Sequence, residues 1–391
     1  MYNFDTITNR KGTDCVKYDF AAQRGKPLDA IPLWIADMDF PAPPCVLDAL
    51  HASVSHGIFG YTDTAEEYTA VLQNWFSRRF GWEIDPAWLA KTPGVVTALH
   101  IAIKGLTAPG DGVLIQQPVY PPFAGAANST GRKLVVNPLV LCEETNQYVI
   151  DFADFEQKIV QENVKMFILC NPHNPVGRVW TVEELTQMGD ICVKHGVIVI
   201  ADEIHQDLIY NGHMHHVFAK LKPEFADITI TCTAPSKTFN IAGLHIANNF
   251  ISNPNLHKAF MQEYTASGLS QGSQLGIVAC QAAYRHGEPW MEELKKYLQS
   301  NMEFMQNYIA TQIPQINMIR PQGTYLVWLD CRKLNLSPEE LNDFITHKAK
   351  LWLVDGPAFG IGGTGFQRVN IACPREVLQA ALDRLKSAVY S

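Results

Sequence analysis

Four apolar runs in the middle of the chain end in polar side chains that could form one reactive site. The runs VLIQQPVY, MFILCNPHNPVGR, VIVIADEIH and ITITCTAPSK supply Tyr120, Asn171 and Asn174, Asp202, Glu203 and His205, and Ser236 and Lys237. In open α/β sheets, ligands bind outside the carboxyl ends of the strands. Each residue alone has an ordinary explanation, such as a turn, a helix cap or a solvated lysine. An aromatic ring, an amide, a carboxylate, a hydroxyl and an amine at one sheet edge together predict a ligand site.

This set of groups is suited to a planar, cationic heteroaromatic ring. Tyr120 would offer an aromatic face, Asp202 a carboxylate for a protonated ring nitrogen, and Asn174 an amide for a ring oxygen. The Lys237 amine could form a Schiff base with a carbonyl on that ring, provided that desolvation and a nearby positive charge lower its pKa. The residues therefore predict pyridoxal phosphate as the cofactor, with Asp202 keeping the ring an electron sink.

The phosphate of such a cofactor needs its own binding site, and the segment KTPGVVTALHIAIKGL offers one. Its Pro-Gly pair precedes an apolar helix of about three turns. The free amides of Val95, Val96 and Thr97 would then point at the anion with the helix dipole behind them. A buried helix with an ordinary glycine start would explain this segment by itself. The lysine and carboxylate predicted beside it favour the phosphate.

Alternating strands and helices would position these groups. The runs GVLIQQPVY, KLVVNPLV, KMFILCNP, GVIVIADEI, DITITCTAPSK and ANNFIS lie between residues 90 and 252 and are separated by helix-like spacers. Runs that are apolar on both faces predict an α/β domain with a mainly parallel sheet. From Asn317, the strand-like INMIR, GTYLVWLD, LWLVDG and FQRVNIA surround a helix near SPEELNDFITHK and precede the helix PREVLQAALDRLKSAV, which has Leu378, Leu382, Leu385 and Val389 on one face. They predict a smaller α+β domain.

Composition narrows the possible partners. The chain has 391 residues, 47% of them hydrophobic, and a formal net charge of −8, so we expect neither a nucleic acid nor an anionic membrane as partner. The polar N-terminus has no apolar signal region, and no run is long enough to span a bilayer. The nine cysteines form no C-x-x-C pair and are interpreted as reduced core residues of a cytoplasmic protein.

Five motifs in fixed order carry a family resemblance. GVVTAL, PVYPPF, NPHNPVGR, ADEIHQDL and SKTFNIAGL together resemble the fold-type I pyridoxal-phosphate enzymes, over nearly the whole chain. Within that superfamily, NRKGTDCVKYD, WIADMDFPAPP and FGYT look like the cystathionine β-lyases and related C–S lyases. The resemblance implies a large pyridoxal-phosphate domain with a mainly parallel, seven-stranded sheet. We divide the chain into an N-terminal arm with part of the small domain (1–50), the large domain (51–285) and a small C-terminal α+β domain (286–391).

The resemblance also implies roles for the residues that contact the cofactor. Lys237 would be the Schiff-base lysine and the general base, and Asp202 would pair with the pyridine nitrogen. Asn174 would serve the ring hydroxyl, with His205 as a second candidate, and Tyr120 would stack on the ring. The phosphate would be met by Val95, Val96 and Ser236.

Other implied roles concern the substrate and a second subunit. Arg368 would bind the carboxylate of an amino-acid substrate with its two-pronged guanidinium, and the backbone near Ile35 and Ala36 would line the pocket. Tyr61 would reach the phosphate from a second subunit, so a homodimer with shared active sites is expected. Lys237 or a nearby tyrosine would protonate the leaving thiolate.

Three positions depart from the pattern of many aminotransferases of this fold. Those enzymes carry serine, tyrosine and arginine where this chain has Ala234, His205 and His245. The pattern favours a β-eliminating lyase that acts on L-cystathionine or related cysteine S-conjugates. An aminotransferase is the alternative within the fold, and a regulatory protein on the same fold is the alternative outside catalysis; the intact set of Lys237, Asp202 and Arg368 argues against a purely binding role.

Two further motifs do not predict sites. GIGGTG, residues 360–365, fits the dinucleotide pattern G-x-G-x-x-G but runs into a strand-like segment instead of a helix, so we interpret it as a loop that delivers Arg368. HMHH, residues 213–216, lacks a third ligand at helical spacing, so a surface turn is expected and a metal is not.

Overall fold

The computed structural model describes residues 2–270 and 272–391. The strands are β1 Ile31–Pro32, β2 Leu89–Thr92, β3 Gly112–Ile115, β4 Lys133–Val136, β5 Val140–Cys142, β6 Gln147–Val149, β7 Val164–Cys170, β8 Ile198–Asp202, β9 Thr229–Thr233, β10 Ala247–Phe250, β11 Asn317–Ile319, β12 Leu326–Asp330, β13 Leu351–Trp352, β14 Val354–Asp355 and β15 Phe366–Asn370.

The α-helices are α1 Pro44–His56, α2 Glu66–Phe80, α3 Val95–Leu106, α4 Pro122–Ser129, α5 Phe152–Gln161, α6 Val182–His195, α7 Pro223–Ile228, α8 Pro235–Thr238, α9 Pro254–Ala266, α10 Gln274–His286, α11 Glu288–Gln312, α12 Pro338–Asp343 and α13 Arg375–Tyr390. Short 3₁₀ turns occur at Ala22–Arg24, Pro86–Trp88, Phe218–Lys220, Ala242–Leu244, Arg332–Leu334 and Gly356–Phe359, and one π-helical turn at Phe344–Lys348. No helix within the described ranges combines the length and the apolar character that crossing a bilayer requires.

A seven-stranded sheet forms the larger core, in the order β2-β10-β9-β8-β7-β3-β4. The five strands from β9 to β4 run parallel, whereas β10 is antiparallel to both of its neighbours. Strands β3 and β9 are buried at every residue, as expected for a sheet that is covered on both faces. The predicted α/β class and the mainly parallel sheet are confirmed.

A second, antiparallel sheet has the order β11-β12-β15-β14. The short β1 pairs in parallel with β13, which attaches the N-terminal part of the chain to this region. On α13, the predicted apolar face buries Leu378, Leu382 and Leu385 in the core, and Val389 packs against it while remaining partly exposed. The run LWLVDG, expected to be one strand, is divided between β13 and β14, which belong to different sheets.

The structure corrects two expectations about individual side chains. His215, predicted on a surface turn, is buried, and its Nε2 lies 3.1 Å from a carboxylate oxygen of the fully buried Glu203. All nine cysteines are free, but Cys15, Cys45 and Cys142 are only half-buried, so the core interpretation holds for the other six. The spacing of the histidines in HMHH does not show that one of them, His215, is buried against the carboxylate of Glu203.

Gly189 on α6 provides a test of packing against α7. A Cβ added there would lie 2.3 Å from Cζ of the buried Phe225. We expect Gly189→Ala to lower the free energy of unfolding by about 1–3 kcal/mol because of overpacking. At Gly125 on α4 a Cβ would meet no atom within 4 Å, so Gly125→Ala should raise that free energy by up to about 1 kcal/mol through helix propensity alone. Denaturant titration measures both, and equal effects of the two substitutions would contradict the packing argument.

Candidate active site

A cavity of about 390 Å³ lies at the carboxyl ends of β7 and β8, between the turn that follows β9 and the start of α3. Ten of the residues proposed from the sequence line it: Ala36, Val95, Val96, Thr97, Tyr120, Asn174, Asp202, His205, Ser236 and Lys237. Its volume is in the range of small-molecule and cofactor sites. The strand ends thus bring together groups that lie up to 201 residues apart in sequence, such as Ala36 and Lys237.

Lys237 lies on the short helix α8, which begins directly after β9. Its Nζ donates a hydrogen bond of 2.8 Å to the carbonyl oxygen of Ala36. Burial of the amine, together with the nearby Arg368, lowers the pKa of Lys237 to about 8, against the opposing effects of Asp37 and Asp202. The amine is therefore partly neutral, and thus nucleophilic and basic, near physiological pH.

Asp202 is the last residue of β8, and burial raises the pKa of its carboxyl to about 7. Its Oδ1 accepts a hydrogen bond from the amide of Ile204 at 3.1 Å. Burial also lowers the pKa of His205 to about 3, so this ring is neutral, and its Nδ1 is buried without a hydrogen-bond partner among the described residues. The cavity thus holds a carboxylate that lacks a full counter-charge and an imidazole with an unused polar atom.

The N-terminus of α3 forms another part of the cavity wall. No side chain caps this helix, so the first amides, at Val95, Val96 and Thr97, are available to an anion in the cavity. Ser236 lines the same cavity. His245, which occupies the position of an arginine in many aminotransferases, also lines it but is exposed at its edge, whereas Ala234 is buried.

Arg368, on β15, is buried beside the cavity and is not part of its lining. It donates through Nη1 to Oδ1 of Asn174 at 3.0 Å and through Nη2 to the carbonyl of Trp34 at 2.7 Å. Within the described residues its Nε has no partner and its guanidinium makes no ion pair with a carboxylate. Burial lowers the pKa of Arg368 to about 10, which leaves it charged at neutral pH. A buried cation without a counter-ion is suited to binding an anionic ligand.

Besides Arg368, two of the proposed residues do not line the cavity. Tyr61 is 97% exposed on the single chain, so it does not reach this chain's own site. Ile35 does not line the cavity; its carbonyl instead accepts a hydrogen bond from Asn370 at 2.8 Å.

Sequence reasoning missed several residues at the site. Cys170 and Ile204 line the cavity, and the hydroxyl of Tyr325 donates to the same Ala36 carbonyl as Lys237, at 3.0 Å. The run GTYLVWLD predicts Tyr325 within a strand and gives it no role at the site, whereas in the structure it directly precedes β12. Asn370 follows Arg368 by two residues on β15 and hence projects from the same face of the strand, which is the signal that could have identified it.

The donor set fits pyridoxal phosphate. Unpaired amides at the start of α3 suit a phosphate, the buried Asp202 suits a protonated ring nitrogen, and Lys237 suits an aldehyde. The orphaned Nδ1 of His205 shows that the cavity has polar capacity that the protein itself does not satisfy. A ligand with an anionic end and a cationic ring would satisfy these groups together.

Comparison with known proteins gives the family. The model of aminotransferase class I and II matches residues 29–385. The chain belongs to this family. The prediction of a fold-type I pyridoxal-phosphate enzyme is therefore confirmed.

Within the class I and II aminotransferase family, the chain is similar to a particular subgroup. It is 42% identical to cystathionine β-lyase PatB of Bacillus subtilis strain 168, over 99% of this chain and 100% of that protein. It is 33% identical to protein MalY of Escherichia coli strain K12, over 100% of this chain and 99% of that protein. The structure of Treponema denticola cystalysin, which contains pyridoxal 5'-phosphate, superposes with a TM-score of 0.96 at 36% identity, covering 100% and 99% of the two chains. The resemblance to the cystathionine β-lyase subgroup is confirmed.

The raised pKa of Asp202 predicts how the stability of the ligand-free protein depends on pH. The carboxyl has a pKa of about 7 when folded and an ordinary value of 3.8. Folded wild-type protein therefore keeps this proton longer than the unfolded chain does, and it loses stability as the pH rises from about 4 to about 7. We expect Asp202→Asn to raise the free energy of unfolding at pH 8 by on the order of 4 kcal/mol, and to have a much smaller effect at pH 4.

Denaturant titration of the ligand-free protein at the two pH values measures this difference. Adding pyridoxal phosphate should abolish the advantage of Asp202→Asn, because a protonated ring nitrogen stabilises the wild-type carboxylate. An advantage that is equal at pH 4 and pH 8 would show that Asp202 does not titrate as proposed.

Proposed function

We propose that the chain is a pyridoxal-phosphate-dependent carbon–sulfur β-lyase that cleaves L-cystathionine or related cysteine S-conjugates to a thiol, pyruvate and ammonia. The observation that carries the proposal is the buried Lys237 amine, which donates to the Ala36 carbonyl and has a pKa of about 8 under the influence of burial, Arg368 and Asp202. Identity of 42% along the whole chain to a protein named cystathionine β-lyase favours elimination over transamination.

Arg368 gives the site its affinity for an amino acid. Its five N–H donors include the unpartnered Nε and one further N–H on each of Nη1 and Nη2, beyond those bonded to Asn174 and to the Trp34 carbonyl, and these can turn to a substrate carboxylate. Such a bidentate contact would fix the substrate so that its Cα–H bond faces Lys237. Burial makes this ion pair stronger than one formed in water.

Lys237 and Tyr120 would move the protons. When bound, pyridoxal phosphate supplies the electron sink that makes the substrate Cα–H acidic. Lys237 then accepts the Cα proton at Nζ, and the Cβ–S bond breaks with its electron pair leaving on sulfur. Burial raises the pKa of Tyr120, so its hydroxyl stays protonated and can supply a proton to the departing thiolate, as can Lys237.

A homodimer with shared sites is part of the proposal. Val54, Ile58, Phe59 and Tyr61 are all more than half exposed on the single chain, which is unusual for apolar side chains so close in sequence. Covering this segment with a second copy would remove the apolar surface from water. It would also explain why Tyr61 is remote from its own cavity, if its hydroxyl serves the phosphate of the partner's site.

We infer that the protein works in a reducing compartment, as in the cytoplasm. Its nine cysteines are free, and six of them are buried. Disulfides are rare in cytosolic proteins because the thiol pools keep cysteines reduced. The free cysteines support this location.

The lyase reaction can be separated from transamination with one substrate. Protein loaded with pyridoxal phosphate and given L-cystathionine, with no keto acid, should release free thiol and pyruvate in equal amounts. Lys237→Ala should lower this turnover by about 100-fold or more because the base is lost. A requirement for a keto-acid acceptor, with no release of thiol, would identify an aminotransferase instead.

Sharing of the sites can be tested by mixing two impaired variants. In a mixed dimer of Tyr61→Ala and Lys237→Ala chains, one site has both substitutions and the other has neither. Random subunit exchange should therefore restore about a quarter of wild-type turnover. Recovery that is absent after exchange has been verified would contradict the role of Tyr61 in the partner's site, without affecting the assignment of Lys237.

A further inference from the structure

Residues 34–39, here called the arm loop, hold both cations of the site by main-chain carbonyls. Ala36 accepts from Nζ of Lys237 at 2.8 Å, and Trp34 accepts from Nη2 of Arg368 at 2.7 Å. The arm loop contains no helix or strand, so it has no regular hydrogen bonding of its own. The positions of these two carbonyls therefore depend on the side chains that hold the arm loop.

Asn370 brackets the carbonyl that contacts Lys237. Its Nδ2 donates to the carbonyls of Ile35 at 2.8 Å and Asp37 at 2.6 Å, on either side of Ala36. Its Oδ1 accepts from the amide of Ala372 at 2.8 Å. The side chain is completely buried. Because its amide group is held on both the donor and the acceptor side, Asn370 fixes the Ile35 and Asp37 carbonyls and limits rotation of the peptide between them.

Tyr325 acts on the same carbonyl from another direction. Its hydroxyl donates to Ala36 at 3.0 Å, and burial raises the pKa of this hydroxyl far above neutrality, so it remains a donor. The Ala36 oxygen consequently receives hydrogen bonds from Tyr325 and Lys237 together. This oxygen is thus supported by Tyr325, which directly precedes β12, and by the Asn370 bracket, and neither residue lies on the helix that carries Lys237.

We propose that Asn370 is a positioning residue for Lys237: it fixes the Ala36 carbonyl against which the amine rests, and Tyr325 supports the same carbonyl. The amine would thereby be held where it can take the substrate's Cα proton, which passes from carbon to Nζ while the bonding electrons remain with the substrate. The inference rests on the proposed function for the role of Lys237 as a base. It does not require a carbon–sulfur bond.

Exchange of the Cα hydrogen of L-alanine with D₂O, followed by NMR, tests the proposal on the enzyme loaded with pyridoxal phosphate. L-Alanine has no leaving group on Cβ, so the measurement is separate from thiol release, on which the lyase proposal depends. At saturating L-alanine, Asn370→Ala should slow exchange by about 10- to 100-fold, the cost of displacing a base by about 1 Å. Tyr325→Phe should slow it less, because the Asn370 bracket remains.

Asn301 provides a matched control. It is also completely buried, and its Nδ2 bridges two carbonyls, those of Ile371 at 3.0 Å and Cys373 at 2.9 Å, which lie outside the arm loop. Asn301→Ala should lower the melting temperature as Asn370→Ala does, but it should leave the exchange rate unchanged. A purely structural role of Asn370 predicts that the two variants behave alike.

A second readout uses the ligand-free protein. Desolvation lowers the pKa of Lys237 to about 8, and the Ala36 carbonyl that accepts from Nζ favours the charged amine. Displacing this carbonyl should therefore shift the pH midpoint of reaction between Lys237 and an amine-specific label in Asn370→Ala, whereas the midpoint should stay in place in Asn301→Ala.

Several results would overturn the proposal. Folded, cofactor-loaded Asn370→Ala that exchanges at the wild-type rate would do so. If Asn370→Ala does not fold, wild-type exchange by folded Asn370→Ser, whose shorter side chain has no Nδ2 to join the Ile35 and Asp37 carbonyls, would have the same force. Wild-type protein that exchanges no Cα hydrogen would remove the base role of Lys237 and this inference with it. Slowed exchange in Asn370→Ala, together with wild-type protein that releases no thiol from L-cystathionine, would reject the lyase function and retain the positioning role of Asn370.

Discussion

The hydrogen bond between Lys237 and Ala36 joins parts of the chain that are 201 residues apart. Lys237 follows a strand of the seven-stranded sheet, whereas Ala36 lies in the arm loop next to the antiparallel sheet. The hydrogen bond from Arg368 on β15 of the antiparallel sheet to Asn174 after β7 of the seven-stranded sheet also joins these two parts, across 194 residues. The site exists only where these two parts meet, because neither carries all the charged groups that the proposed reaction needs.

Burial of charge determines the chemistry at that junction. Desolvation raises the pKa of Asp202 and lowers those of Lys237 and His205, so each group is shifted toward its neutral form. A ligand-free protein that holds such groups is less stable than one with an apolar cavity. A cofactor with a cationic ring and an anionic phosphate, and a substrate with a carboxylate, would supply the missing counter-charges. The burial that destabilises the ligand-free protein therefore favours binding of these ligands.

Buried side chains next to Asp202 and Lys237 hold the segments that carry these two residues. Glu203, next to Asp202, accepts from the amide of Phe218 and contacts His215, which anchors the loop after β8. Thr238, next to Lys237, donates to Asp207 at 2.8 Å. Hydrogen bonds of this kind, inside a water-excluding core, restrict the neighbours of the reacting groups to one arrangement. Residues that lie outside the cavity therefore help to fix the positions of the reacting side chains.

The sequence by itself determined the parallel sheet and the groups at its carboxyl edge. Apolar runs report burial on both faces of a strand, and a polar residue after such a run must lie at the sheet edge, so Tyr120, Asn174, Asp202 and Lys237 could be placed together. Only the tertiary structure decided that the arm loop meets Lys237, that Asn370 brackets Ala36, and that His215 is buried. Local periodicity reports which face of an element is covered and not which distant segment covers it, since that choice is made by packing and hydrogen bonding across hundreds of residues.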